Sequence, residues 1–232
     1  MATPMIATDT TETMGRLALF SDLNDQAKRF FAQAADMIAI KRHEYLIRRD
    51  GTADCFYVVV QGRVEVSLSA DGGFNKVVEI AGPGEQIGEA MMFCGGNHLI
   101  DARAISAVTC LRINKSDALH AMQLDSRFAV QLIQAMSARF VTLLADIRST
   151  NCLSARERIY QFLLKEPRQN NWVRLTVAKG TIASILGIAK ETLSRELQRL
   201  SSDGLIRVQG TRIELIDPPP VQSPCPNLPR HR

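Results

Sequence analysis

Two periods of hydrophobic spacing divide this chain. From Lys41 to Lys115, apolar residues come in short runs broken by glycine: "EYLIRRDG", "CFYVVVQGRVEVSLSADGG", "KVVEIAGPGEQIG" and "IDARAISAVTCLRINK". Val64, Val66 and Leu68 alternate with Glu65 and Ser67, the two-residue period of a half-buried strand. Gly62, Asp71-Gly72-Gly73 and Gly82-Pro83-Gly84 supply the turns. Many short strands at close spacing predict a sandwich, jelly roll or small barrel. Ahead of them, "SDLNDQAKRFFAQAA" reads as a short helix with Ser21 or Asp22 as its N-cap.

At Ser126 the period lengthens. "SRFAVQLIQAMSARFVTLLADIRS" contains neither glycine nor proline. Ala129, Ile133, Met136, Phe140, Leu143 and Ile147 follow one another at coiled-coil a/d steps. Val130, Leu132, Val141 and Leu144 flank that seam. A helix apolar on two faces can dock on its own β domain and on a second copy of itself; the alternative is a single helix packed on the roll.

Beyond Leu153 the helical period continues. "SARERIYQFLLKEP" is amphipathic through Ile159, Phe162 and Leu163, and Pro167 stops it. A helix with Ile182, Ile185 and Leu186 ends at Gly187, and a second begins near Lys190 with the buried stripe Leu193, Leu197 and Leu200. Helix, glycine turn and helix make a helix-turn-helix. A hairpin around Gln209-Gly210 then serves as a wing.

Such a fold inserts the first turns of its second helix into the major groove of duplex DNA. Arg195 can donate twice to guanine O6 and N7, and Glu191 can accept from a cytosine amine. Their i, i+4 spacing lets the carboxylate orient the guanidinium. Ser194 is small enough to approach a base edge, while Lys179, Thr181 and Lys190 suit phosphates.

Composition narrows the setting. The 232 residues are 46% hydrophobic with net charge +4, enough for a core and compatible with nucleic acid. The N-terminus shows no secretory pattern, and no unbroken apolar run reaches the roughly 18–20 residues that span a bilayer. A cytoplasmic protein without a membrane partner is expected. The five cysteines, Cys55, Cys94, Cys110, Cys152 and Cys225, form no CxxC pair and read as reduced thiols.

From about Leu17 to Ile216 the chain resembles the CRP/FNR family of bacterial transcription regulators. "GEAMMF", residues 88 to 93, matches its Gly-Glu pocket motif, and "AKETLSR" its recognition helix. Glu191, Ser194 and Arg195 match the Glu-x-x-Ser-Arg set of the FNR-like branch. The resemblance implies an α+β chain with a β-roll of cyclic-nucleotide-binding type, a dimerisation helix and a winged helix-turn-helix. The corresponding spans are a flexible 1–16, a sensor at 17–124, the dimer helix at 125–150, a DNA-binding domain at 151–217 and a flexible proline-rich tail at 218–232. It further implies a homodimer on a TTGAT-N4-ATCAA palindrome, no enzymatic activity, and RNA polymerase as a partner.

The sensor departs from the family's best-known signals. Leu99 and Ile100 stand where cAMP binders carry an arginine and a serine for the phosphate, and Leu143 and Leu144 stand where they carry hydroxyls. A buried anion without a cation is costly, so cAMP is not expected. No cysteine precedes Cys55, so neither is an iron–sulfur cluster. The remaining expectation is an apolar cavity bounded by Ile87, Gly88, Glu89, Met91, Met92, Leu99, Leu143 and Leu144. "GEAMMF" most resembles the DNR-type nitric-oxide regulators, which implies haem sensing nitric oxide, with His98 as candidate axial ligand and Cys94 as substitute. The alternatives are another effector or none. A more remote one is a cupin-like metalloenzyme built on His43, His98 and His120.

Overall fold

The computed structural model describes residues 10–70 and 74–216. The chain forms two compact units divided between Ile147 and Arg148. The first opens with three short helices, α1 (Thr10–Gly15), α2 (Ala18–Ser21) and α3 (Asp25–Ala34). Residues 10–15 belong to the span expected to be flexible, yet they are helical. Met14, only 2% exposed, ties them to the core. The N-cap of α3 is Asn24 rather than Ser21 or Asp22: its side chain accepts from Ala27 N at 2.8 Å. Ser21 instead ends α2.

Eight strands follow: β1 (Asp36–Ile40), β2 (Tyr45–Ile47), β3 (Cys55–Gln61), β4 (Val64–Ala70), β5 (Phe74–Ala81), β6 (Gln86–Ile87), β7 (Asp101–Ala104) and β8 (Val108–Asn114). They build two antiparallel four-stranded sheets, ordered β1-β8-β3-β6 and β2-β7-β4-β5. The sequence period explains the layering. Val59, Ile87, Val108 and Cys110 of one sheet join Val64, Val66, Ala102 and Ala104 of the other in one core. Phe56, Val58, Leu111 and Ile113 belong instead to a core shared with the helices.

That second core anchors α5 (Lys115–Leu124) and the start of α6 (Arg127–Cys152). Phe20, Phe31 and Phe128 are fully buried, with ring centroids 5.1 Å apart for Phe20–Phe31 and 4.8 Å for Phe31–Phe128. Asp125 joins the two ends of this layer: it accepts from Asn24 N at 2.7 Å and from Arg127 Nη2 at 2.7 Å. Those donors, the Arg127 side chain foremost, hold its carboxyl well below the usual carboxylate range.

Past Leu132 the apolar residues of α6 become exposed, including Ile133, Phe140, Val141, Leu144 and Ile147. Among the described residues the stretch Arg127–Thr150 is the one helix long and apolar enough, by length and composition, to cross a bilayer. No unbroken run betrays it in the sequence, because Arg139, Asp146 and Arg148 interrupt the apolar positions. The helix also continues past 150, the expected end of the dimerisation segment, to Cys152.

The second unit contains α7 (Ala155–Lys165), β9 (Arg168–Gln169), β10 (Trp172–Arg174), α8 (Lys179–Ile185), α9 (Lys190–Ser202), β11 (Ile206–Gln209) and β12 (Arg212–Leu215). A capping box starts α7: Ser154 accepts from Glu157 N and Glu157 accepts from Ser154 N. The expected hairpin is β11–β12, and it sits in a four-stranded sheet of order β11-β12-β10-β9. The strands β9 and β10 have no clear sequence signal, since their turn uses Asn170 and Asn171 at positive φ rather than glycine. The tail from 218, with Cys225 and His231, lies outside the described residues.

Candidate nucleic-acid interface and sensor cavity

The turn between α8 and α9 is held from several sides. Gly187 takes φ 62°, a left-handed conformation that glycine adopts without strain. Ile188 N donates to Ala183 O at 3.0 Å, and Arg158 Nη1 on α7 donates to Leu186 O at 2.7 Å. Leu193, Leu197 and Leu200 of α9 pack with Ile182 and Ala183 of α8, Ile159 and Leu163 of α7, and Val173 and Ile213 of the sheet.

That burial leaves Lys190, Glu191, Ser194 and Arg195 exposed together on the first turns of α9. No side chain caps the helix at Ala189, so its N-terminal amides and positive dipole end remain open for an anion. Lys179 is exposed on the first turn of α8 and Thr181 is half-buried. The unit therefore presents an open helix end beside a group of exposed polar and charged side chains.

One expected contact is replaced. Arg195 does not pair with Glu191 among the described residues; its Nε lies 3.8 Å from Oε1 of Glu196. Sequence reasoning passed over Glu196, which is 7% exposed and accepts from Arg199 Nη1 at 2.7 Å. Its signal was present: a carboxylate at i+3 from Leu193 falls on the leucine stripe.

In the first unit, Gly88 adopts φ 96° and opens α4 (Glu89–Cys94). That conformation favours glycine, and a Cβ there would also push on the tip of Ile47, whose Cδ1 would lie at 2.8 Å. Glu89 is 2% exposed, and its Oε1 accepts from Arg139 Nη1 at 2.5 Å. The same guanidinium donates from Nη2 to Gln86 O at 2.7 Å and reaches Glu79 Oε2 from Nε at 2.9 Å. Burial raises the Glu79 carboxyl above its ordinary range, opposed by Arg139.

Alongside lies a cavity of about 510 Å³ lined by α2, α6 and the β5–β6 segment. Its exposed surface is mostly apolar, as expected, but the residues that line it are mixed. Glu79, Glu85, Gln86, Gln131, Gln134, Arg139 and Thr142 make half of its lining, because α6 turns a polar stripe this way. Of the expected residues only Leu143 lines it. Ile87 belongs to the inter-sheet core and Met92 to the helix-covered core. Leu99 is 62% exposed, Leu144 faces solvent, and Met91 is half-buried elsewhere. The cavity does hold a cation, Arg139 of α6, but it is already engaged by two carboxylates.

The cavity lining includes no histidine, cysteine, methionine or tyrosine. His98 is not part of it. Its ring is buried near Gly88, its Nδ1 has no hydrogen-bond partner among the described residues, and burial lowers its pKa against the opposing pull of Asp54. Cys94 is exposed at the end of α4. These residues do not fit a haem, which needs an axial ligand projecting into an apolar slot. Among the described residues no three histidine, cysteine or carboxylate side chains gather to hold a metal ion.

Each of the two units matches a family model of its own. Residues 37–125 match the Cyclic nucleotide-binding domain model, and residues 157–221 match the Crp-like helix-turn-helix domain. The chain is a transcription regulator of the CRP/FNR type. The regulator is 27% identical over 188 residues to the transcriptional activator protein Anr of Pseudomonas protegens, spanning 77% of this chain and 76% of that one. Among solved structures it is similar to the c-di-GMP responsive global regulator CLP of Xanthomonas campestris, with TM-score 0.72, 21% identity and coverage of 84% and 100%. It is also similar to DNR from Pseudomonas aeruginosa, with TM-score 0.50, 25% identity and coverage of 92% and 96%. Regulators of this type bind DNA and usually act as dimers, and the regulator's fold is theirs.

Proposed function

We propose that the regulator binds, as a homodimer, a two-fold palindrome of the TTGAT-N4-ATCAA kind and thereby controls transcription in the cytoplasm. The observation that carries this is the first two turns of α9, where Glu191, Ser194 and Arg195 share the exposed face of an uncapped helix N-terminus. Arg195 reads a guanine, Glu191 a cytosine and Ser194 an adjoining base edge. Lys179, Thr181 and Lys190 hold phosphates. The seam of α6, exposed at Ile133, Phe140, Leu143 and Ile147 and half-buried at Met136, pairs two copies, and a two-fold protein matches a two-fold operator. RNA polymerase is the partner through which bound regulator acts.

The effector reading follows the cavity. Two of Arg139's partners are carboxylates, and Glu85 adds a third to its surroundings. Such a site repels a cyclic-nucleotide phosphate and offers haem no ligand. The regulator is accordingly gated by another small effector or by none, and nitric-oxide sensing through haem is not supported.

Fluorescence anisotropy with the palindrome and a scrambled duplex of equal length tests the proposal. The palindrome should bind at least about a thousandfold more tightly at physiological salt, as specific sites do. Equal affinity for the two duplexes would refute it. Repeating the titration with cAMP or haem should leave both affinities unchanged.

A further inference from the structure

We infer that Glu196 is a positioning residue for Arg195, setting how the recognition helix reads its base. The inference rests on the proposed base-reading role of Arg195. Glu196 occupies the leucine stripe of α9, with its side chain 10% exposed, whereas those of Arg195 and Arg199 are 59% and 60% exposed. A leucine would cost less at such a position, because a buried carboxylate loses its hydration and must be paired. Arg199 supplies the pairing, donating to Oε1 at 2.7 Å. That bond neutralises the carboxylate but gives no reason for its being there.

Arg195 supplies the reason. Adjacent residues on a helix point about 100° apart, so its side chain has to bend back to approach Glu196. It does so with Nε, which lies 3.8 Å from the same Oε1. A guanidinium steered through Nε keeps Nη1 and Nη2 side by side for guanine O6 and N7. One carboxylate oxygen thus serves two arginines: Arg199 fixes the carboxylate, and the carboxylate aims Arg195. Glu191, the expected orienting partner, is left to meet a base of its own.

The test is a double-mutant cycle on DNA discrimination, the ratio of affinities for the palindrome and the scrambled duplex. Glu196→Gln in the full-length protein should lower that ratio about tenfold. Affinity for scrambled DNA should hold or rise, because a negative charge near phosphates is lost. In an Arg195→Ala background the same substitution should change the ratio less than about twofold. A purely structural role would instead weaken both duplexes and act equally in either background. Either that pattern or an unchanged ratio in Glu196→Gln overturns the inference. If Glu196→Gln fails to fold, Glu196→Leu, which suits the apolar neighbours, should give the same fall. Should Arg195→Ala itself leave the ratio intact, the base-reading proposal falls and this inference with it; failure of Glu196→Gln alone leaves that proposal standing.

Discussion

Arg139 of α6 and Glu89 of α4 meet at 2.5 Å, although fifty positions separate them in the chain. Glu89 is buried and, among the described residues, Arg139 is its hydrogen-bonded cation, so removing the guanidinium strands a charge. Arg139→Ala should destabilise the first unit by about 3 kcal/mol. Combining it with Glu89→Gln should recover much of that loss, since both members of the pair are then neutral. Thermal unfolding of the three variants reads this out, and strictly additive losses would exclude the coupling.

Acid should weaken the same unit in two separate windows. Burial lowers the pKa of His98, so its neutral form is the one the fold accommodates. That contribution is complete above the ordinary value of 6.5 and is lost as pH falls below it. The Asp125 carboxyl is depressed, so its contribution is complete above the ordinary value of 3.8 and disappears only in stronger acid. Glu79 works in the opposite sense, because its raised pKa makes protonation favour the folded state. Melting temperatures from pH 7.5 to 5.5 should therefore fall for the unaltered protein and fall less for His98→Gln. Identical slopes would show that the histidine is not held neutral.

Base reading and phosphate contact separate by salt and sequence. Arg195→Ala should cost roughly 1–3 kcal/mol on the palindrome and much less on random duplex. Lys179→Ala should weaken both and lower the salt slope by about 1. Anisotropy titrations at several salt concentrations distinguish the two; equal losses for Arg195→Ala on both duplexes would remove its base-reading role.

The pairing proposed for α6 uses an exposed surface, so it should be breakable without unfolding the chain. Phe140 is 60% exposed in the single chain, so Phe140→Glu should leave each chain folded by circular dichroism and lose only the part of the melting temperature that pairing contributes. It should convert dimers into monomers in light scattering and abolish tight palindrome binding. A dimer that survives this change would place the interface elsewhere.

What could be read from sequence followed from where the physics is local. The strand alternation at Val64–Leu68, the leucine stripe of α9 and the glycine at 187 each fix an element by neighbouring residues alone. The cavity was different. Whether Ile87 faces a ligand or the opposite sheet depends on layering, and no spacing rule reports that. Arg139 was hidden because the seam reading followed apolar positions and ignored the polar stripe between them. His98 lies near the pocket motif in sequence and beside Gly88 in space, yet it is packed away from the cavity. The capping box at Ser154 and Glu157 was legible but unclaimed, whereas Asn24 was displaced by two equally good capping residues just before it.

The apolar face of α6 also bears on how much of this protein a cell must make. Each half of a palindrome needs its own recognition helix, and the two helices arrive together only after two chains have paired. Below the dimer dissociation constant, the concentration of pairs rises with the square of chain concentration, so doubling synthesis raises them about fourfold. Under the proposed pairing, gene dosage becomes an input to the circuit, acting through Phe140 and its neighbours whether or not an effector is present.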